Sequence, residues 1–134
     1  MEKCFTTGIC KADQDGQSVY GFRITSPAID RDKEILDPAG MDAANYLLNP
    51  VILWGHDMDE VVGKAVNLRQ TETGWEADIV FADAVSEKAR EVKALVDGGF
   101  VSATSVRFRP IEREEGRRGI DPYYRQYTRW EPLE

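Results

Sequence analysis

The sequence predicts an α+β domain, a small core of strongly bent sheet or β-barrel with two or more helices set against it. Three observations carry this. Several stretches alternate apolar and polar residues with period two, the pattern of half-buried strands. One stretch, Val85, Ala89, Val92 and Val96, spaces its apolar residues by four, three and four, the stripe of an amphipathic helix. The chain of 134 residues shows no internal repeat or low-complexity linker. A chain of that size buries about 70% of its unfolded surface around one core, so residues 1–134 read as a single domain.

The elements follow in order. Asp15-Gly16 signals a turn, after which Tyr20, Phe22 and Ile24 form one face of a strand. A helix is expected over residues 38–48, capped by Asp37, opened by Pro38 and stopped by Asn49-Pro50. Residues 51–54 form a short apolar strand that delivers the turn Gly55-His56-Asp57. Val62, Val66 and Leu68 alternate with Lys64 and Asn67, and Trp75, Ala77, Ile79 and Phe81 alternate with Glu76 and Asp78. These two runs predict a hairpin around Glu72-Thr73-Gly74. The helix of residues 85–96 takes Asp83 as its cap and Gly98-Gly99 as its stop. Strand character returns over residues 100–109 and again, rich in aromatics, over 123–130.

Composition removes several function classes. Hydrophobic residues make up 42% and charged residues 31% of the chain, as in soluble globular proteins. No run approaches the ~18 apolar residues of a membrane span, and Met1-Glu2-Lys3-Cys4 lacks the apolar stretch of a secretory signal. Seventeen basic and 24 acidic residues leave a net charge of −7. That balance opposes general nucleic-acid binding, which relies on a cationic surface. Residues 107–129 are the exception, with seven arginines against four acidic residues. Such a patch attracts an acidic polypeptide or an oxyanion, and equally suits a solvated hairpin of mixed ion pairs. Cys4 and Cys10 are too few for a disulfide framework or a four-sulfur zinc site. On one strand they would stand about 20 Å apart, beyond bridging distance, and read as reduced thiols.

Histidine is the decisive count, because His56 is the only one. Zinc chemistry with several imidazoles is therefore absent from the chain. His56, Asp57, Asp59 and Glu60 offer one nitrogen ligand and crowded carboxylates, a poor metal set. Asp13-Gln14-Asp15-Gly16 and Asp30-Arg31-Asp32-Lys33-Glu34 resemble calcium loops but place Ser18 and Ile35 where glycine is required. Neither metal nor organic cofactor is expected. A lone histidine beside Gly55 serves structure as readily as chemistry. As a general base it needs a hydroxyl within hydrogen-bond reach. Candidate hydroxyls cluster in Ser102, Thr104 and Ser105, and strand alternation sets Ser105 on the face of Val101, Ala103 and Arg107, opposite Val106 and Phe108. Cys10 with His56 would make a cysteine hydrolase, but no helix N-terminus or cation cluster accompanies that thiol.

In order along the chain stand Asp30-Arg31-Asp32 with Glu34-Ile35-Leu36, Tyr46-Leu47 with Asn49-Pro50-Val51, Leu53-Trp54-Gly55-His56-Asp57 and Val62-Gly63-Lys64-Ala65. Gly98-Gly99-Phe100-Val101-Ser102-Ala103 and Ser105-Val106 with Phe108-Arg109-Pro110 follow. In these blocks, over residues 20–134, the sequence resembles the tailed-phage prohead maturation proteases. The resemblance implies a fold like the herpesvirus assemblin proteases, a small β-barrel wrapped by helices. It implies a serine endopeptidase that trims capsid precursor or scaffold polypeptides inside the assembling prohead in the host cytoplasm, with no nucleic acid or membrane partner. Self-association to a homo-oligomer is expected by the same analogy.

Carried over residue by residue, the resemblance implies Ser105 as nucleophile, with Ser102 the weaker choice, and His56 as base. It implies an acidic third member at Glu134, or next at Glu131. Backbone N–H groups near Val106 and Arg107, helped by Arg109, would hold the oxyanion. Two departures accompany it. Arg107 stands where the family commonly has glycine, so that its side chain either crowds the nucleophile or lends its guanidinium to the oxyanion. The family pattern also continues past the Glu134 block with an apolar, proline-containing strand, so the domain is expected to lack a C-terminal strand or tail. A different class fits these departures: an inactive assembly or scaffold-binding module of the same fold.

Overall fold

The computed structural model describes residues 2–6, 10–14, 16–26, 28, 33–115 and 125–134. Along the chain run β1 (Glu2–Thr6), β2 (Cys10–Gln14), β3 (Gln17–Thr25), β4 (Glu34–Leu36), β5 (Val51–Leu53), β6 (Val61–Thr71) and β7 (Gly74–Phe81). Helix α1 (Glu87–Asp97) then precedes β8 (Ala103–Glu115) and β9 (Arg125–Pro132). The strands form a four-stranded sheet in the order β1-β8-β9-β4 and a five-stranded sheet in the order β2-β3-β7-β6-β5. Pairing is antiparallel except between β4 and β9.

Alternation along the strands builds two apolar clusters. Tyr20 and Phe22 of β3, Val62 of β6, and Ile79 and Phe81 of β7 pack against Ala89, Val92 and Val96 of α1. Leu36, Val106, Phe108, Tyr127 and Trp130 form the second cluster on the smaller sheet. Each large side chain buried here contributes about 1.5–3 kcal/mol of transfer free energy. Phe108 meets both Tyr127 and Trp130 edge-to-face, at centroid distances of 5.1 and 5.9 Å, an arrangement that suits the ring quadrupoles. These contacts lock the inward face of β8 and so fix which residues point the other way.

The expected hairpin closes at Thr71 and Gly74, and β5 leads into the His56 turn. Several expectations are corrected. Residues 38–48 do not form a helix; they contain two single 3₁₀ turns, Pro38–Gly40 and Tyr46–Leu48. Asp37 does cap the first, accepting from the Ala39 N–H at 3.0 Å. Beyond that turn the segment is claimed by β9. Met41 bridges Trp130, and the Asp42 N–H donates to the Trp130 carbonyl at 2.8 Å. The indoles of Trp75 and Trp130 donate to the carbonyls of Pro38 and Asp37. Gly40 lies so close that a β-carbon there would stand 1.8 Å from the Thr128 carbonyl oxygen. A continuous helix would break this docking.

Helix α1 starts later than its stripe suggests. Ser86 is the N-cap, its hydroxyl accepting from the Ala89 N–H at 3.1 Å, while Asp83 binds Lys93 Nζ at 2.7 Å. Val85 therefore precedes the helix and is 86% exposed. The strand expected from residue 100 begins at Ala103, because Phe100 sits in the α1–β8 connection, with its N–H bonded to the Leu95 carbonyl. The late strand spans Arg125–Pro132; residues 123 and 124 lie outside the described residues, as do Asp15 and Asp30-Arg31-Asp32. Cys4 and Cys10 do not share a strand. Cys4 pairs with Ser105 in the smaller sheet and Cys10 with Gly21 in the larger.

Candidate active site

Two local conformations meet at the site. Ser105 is carried by β8, where Val106 and Phe108 turn inward and are buried, so that Ser105 and Arg107 face the opposite side. His56 is carried by a tight turn. The Asp57 N–H donates to the Trp54 carbonyl at 3.1 Å, and the two central residues, Gly55 and His56, have φ of 60° and 56°. Positive φ at both central positions belongs to a type I′ turn. Glycine adopts it freely, and histidine is one of the few other residues enriched in this region. The loop is closed by bonds from Trp54 N–H to the Glu60 carbonyl and from Glu60 N–H to the Asp57 carbonyl, both 3.0 Å.

This construction brings His56 Nε2 to 2.7 Å from Ser105 Oγ. The separation is a short hydrogen bond, within reach for proton transfer. On the other side of the ring, Nδ1 lies 3.3 Å from Glu134 Oε1. The His56 and Glu134 side chains are only 12% and 8% exposed. Ser102, by contrast, is exposed in the connection before β8. A largely apolar cavity of ≈ 190 Å³ adjoins the pair, with Trp54, Gly55, Val101 and Ala103 among its walls. Asp57 Oδ1 accepts the Asp59 N–H at 2.9 Å, which occupies it within its own turn. Among the described residues, no three His, Cys, Asp or Glu side chains gather as metal ligands.

The acidic residues divide sharply. Glu131 Oε1 accepts from Asn45 Nδ2 at 2.9 Å, and Oε2 accepts from Arg109 Nε at 3.0 Å and from Arg109 Nη2. These bonds, Asn45 first and Arg109 second, hold its carboxyl below the usual range. Glu131 is thus turned away from His56. Glu134 Oε1 is buried and has its near neighbours, His56 Nδ1 and Arg107 Nη1 at 3.2 Å, at ion-pair distance without an aligned hydrogen bond.

The expected oxyanion donors are placed differently. The Arg107 N–H donates to the Glu134 carbonyl at 3.1 Å, so this amide is already engaged. The Arg109 guanidinium is committed to Glu131, and Val106 stands in ladder register with Lys3 of β1. Two residues to which sequence reasoning gave no role also support the site. Asn45 anchors Glu131, and Tyr46 donates its hydroxyl to the Val51 carbonyl at 3.1 Å, at the start of the strand that leads to His56. Burial, with the negative charge of Glu134 nearby, pushes the Tyr46 phenol up to about 12, so it stays a donor. Tyr46 stands in one of the blocks that carry the family resemblance, but neither that block nor Asn45 signals either role.

No family model and no solved structure matches the chain. A curated protein does: over 70 residues the chain is 34% identical to the prohead protease of Escherichia phage T5. The match spans 52% of this chain and 32% of that protein. Over about half of its length, then, the chain is similar to a phage protein named for processing proheads.

Proposed function

We propose that the chain is a serine endopeptidase that cleaves capsid or scaffold polypeptides as a phage prohead matures. The observation that carries the reading is the 2.7 Å contact between the only imidazole of the chain and the hydroxyl of Ser105. His56 Nε2 takes the Ser105 proton as the oxygen attacks the scissile carbonyl, then gives it to the leaving amine. Water repeats the sequence on the acyl-enzyme. Glu134, beside Nδ1, favours the tautomer that leaves Nε2 free to accept and stabilises the imidazolium that forms. Action inside the assembling shell belongs to the same reading, supported by the likeness to the T5 protein; an assemblin-like barrel is proposed with it on the family resemblance of the sequence blocks alone.

The reading is tested by Ser105→Ala with a matching capsid precursor. The expected loss is about 10⁴–10⁶-fold in kcat, with an unchanged circular dichroism spectrum. Retained cleavage would refute the assignment of Ser105. One observation favours the inactive assembly module: the Arg107 amide is bonded to Glu134 instead of standing free for an oxyanion, a donor worth about 3–4 kcal/mol. A serine-directed phosphonate separates the two, because only an activated hydroxyl is labelled.

A further inference from the structure

The connection between β8 and the end of β9 gives Arg107 a task of its own. The β8–β9 ladder, which shifts register twice between Pro110 and Arg113, runs as far as Phe108 opposite Pro132. Beyond it, the Leu133 N–H donates to the Arg107 carbonyl at 2.8 Å, and the Arg107 N–H donates to the Glu134 carbonyl at 3.1 Å. Two residues thus stand opposite one, the count of a β-bulge, a device that bends a strand and re-aims a side chain. Leu133 is left 44% exposed, while the Glu134 side chain is turned inward to His56. The Arg107 guanidinium completes the hold, with Nη1 3.2 Å from the same Oε1 that faces His56 Nδ1.

We propose that Arg107 is a positioning residue that latches Glu134 against His56 and thereby fixes the imidazole tautomer. The inference rests on the peptidase reading for its catalytic consequence, but not for its geometry. An aspartate or glutamate beside an imidazole orients it only if the carboxylate is itself held. Here the main-chain bonds set where residue 134 runs, and the guanidinium sets where its carboxylate points. The main-chain part survives any non-proline substitution at 107, so removing the side chain isolates the guanidinium. The arginine at this position then neither crowds Ser105 nor serves the oxyanion directly. Its positive charge is spent on Glu134.

The test compares Arg107→Ala and Arg107→Lys with the parent chain, using cleavage of the capsid precursor and the ¹⁵N spectrum of the imidazole. His56 is the sole histidine, so its two ring nitrogens give unambiguous signals. At a pH where the ring is neutral, the parent should show one tautomer, with the proton on Nδ1. Arg107→Ala should show a mixture of tautomers and lose about 10²-fold in kcat, the cost of a misplacement near 1 Å. Its KM should stay within about threefold, and Arg107→Lys should recover the single tautomer and most of kcat, since it restores a cation in reach of Oε1. An unchanged kcat in Arg107→Ala overturns the latch. So does a rise confined to KM, which places the guanidinium on substrate, or a lost kcat with an unchanged imidazole spectrum, which places it on the oxyanion. Ser105→Ala is run beside them. If cleavage survives that change, the assignment of Ser105 fails, and if the parent chain does not cleave at all, the peptidase reading fails; in either case the spectrum still decides the latch.

Discussion

Two arginine–glutamate pairs cross from β8 to the end of β9, and they differ in how completely the carboxylate is satisfied. Arg109 and Glu131 are direct partners in the ladder, and Asn45 supplies the second carboxylate oxygen with a donor. Arg107 and Glu134 lie just beyond the end of the ladder, where a single oxygen is approached by the guanidinium and by the imidazole. A carboxylate whose lone pairs are taken by aligned donors is fixed and chemically quiet. One held at ion-pair distance, buried, next to an imidazole, has a charge still to be used. The arginine on the same strand face thus serves a closed pair in one case and an open one in the other.

The widest separation between the pairs should appear in catalysis. Glu134→Gln keeps the size of the side chain and removes its charge, and should lower kcat by about 10²–10⁴-fold, as expected when an imidazole loses the acid that sets its tautomer. Glu131→Gln should leave kcat within about threefold, because its carboxylate faces Arg109 and Asn45 and not His56. Steady-state cleavage of the capsid precursor by the two variants checks this. Equal losses would mean that the two carboxylates act as one network and that the distinction drawn from their bonding is empty.

How much of this was legible in the sequence depends on how local the cause is. One imidazole in the chain leaves little choice of base, and alternation in residues 100–109 places Ser105 on the face away from Val106 and Phe108. Their meeting in space needs the fold. Glu134 is reachable only through the family resemblance, since nothing in Pro132-Leu133-Glu134 marks a functional acid. The engagement of the Arg107 amide depends on a two-against-one register between strands more than twenty residues apart, which no local pattern encodes. Residues 38–48 show the opposite failure. Asp37-Pro38 and Asn49-Pro50 are sound start and stop signals, but two indoles and an edge of β9 outweigh the local preference. At α1, Asp83 and Ser86 compete as caps, and Ser86 wins because its hydroxyl reaches the Ala89 N–H while Asp83 is drawn to Lys93.

A smaller effect sharpens the contrast through coupling. If Arg107 acts by holding Glu134, then Arg107→Ala in the Glu134→Gln background should cost no more than about threefold in kcat beyond Glu134→Gln alone. Two residues that work as one unit are strongly non-additive. At the other pair, Arg109→Ala and Glu131→Gln should couple in the thermal unfolding midpoint and leave kcat near the parent value. Additive losses of kcat in the first cycle would give Arg107 a contact of its own with the reacting groups.

The smallest expected effect is in acid stability, and it concerns Glu131. Its carboxyl is held below the ordinary value of 4.5 by Asn45 and then Arg109, so the folded state favours the ionised form more than the unfolded chain does. A carboxyl depressed in this way stabilises the fold above its unfolded value, and that contribution fades as pH falls through the folded value. Urea unfolding of the parent and of Glu131→Gln should therefore show a gap at pH 7 that stays constant down to about pH 5 and closes below it. The arginine and the asparagine keep their charge and polarity over this range, so the closing of the gap reports the glutamate. A gap of constant size from pH 7 to pH 3 would show that the variant loses shape and packing instead of a charge-dependent bond, and Glu131 would no longer be the satisfied member of the two pairs.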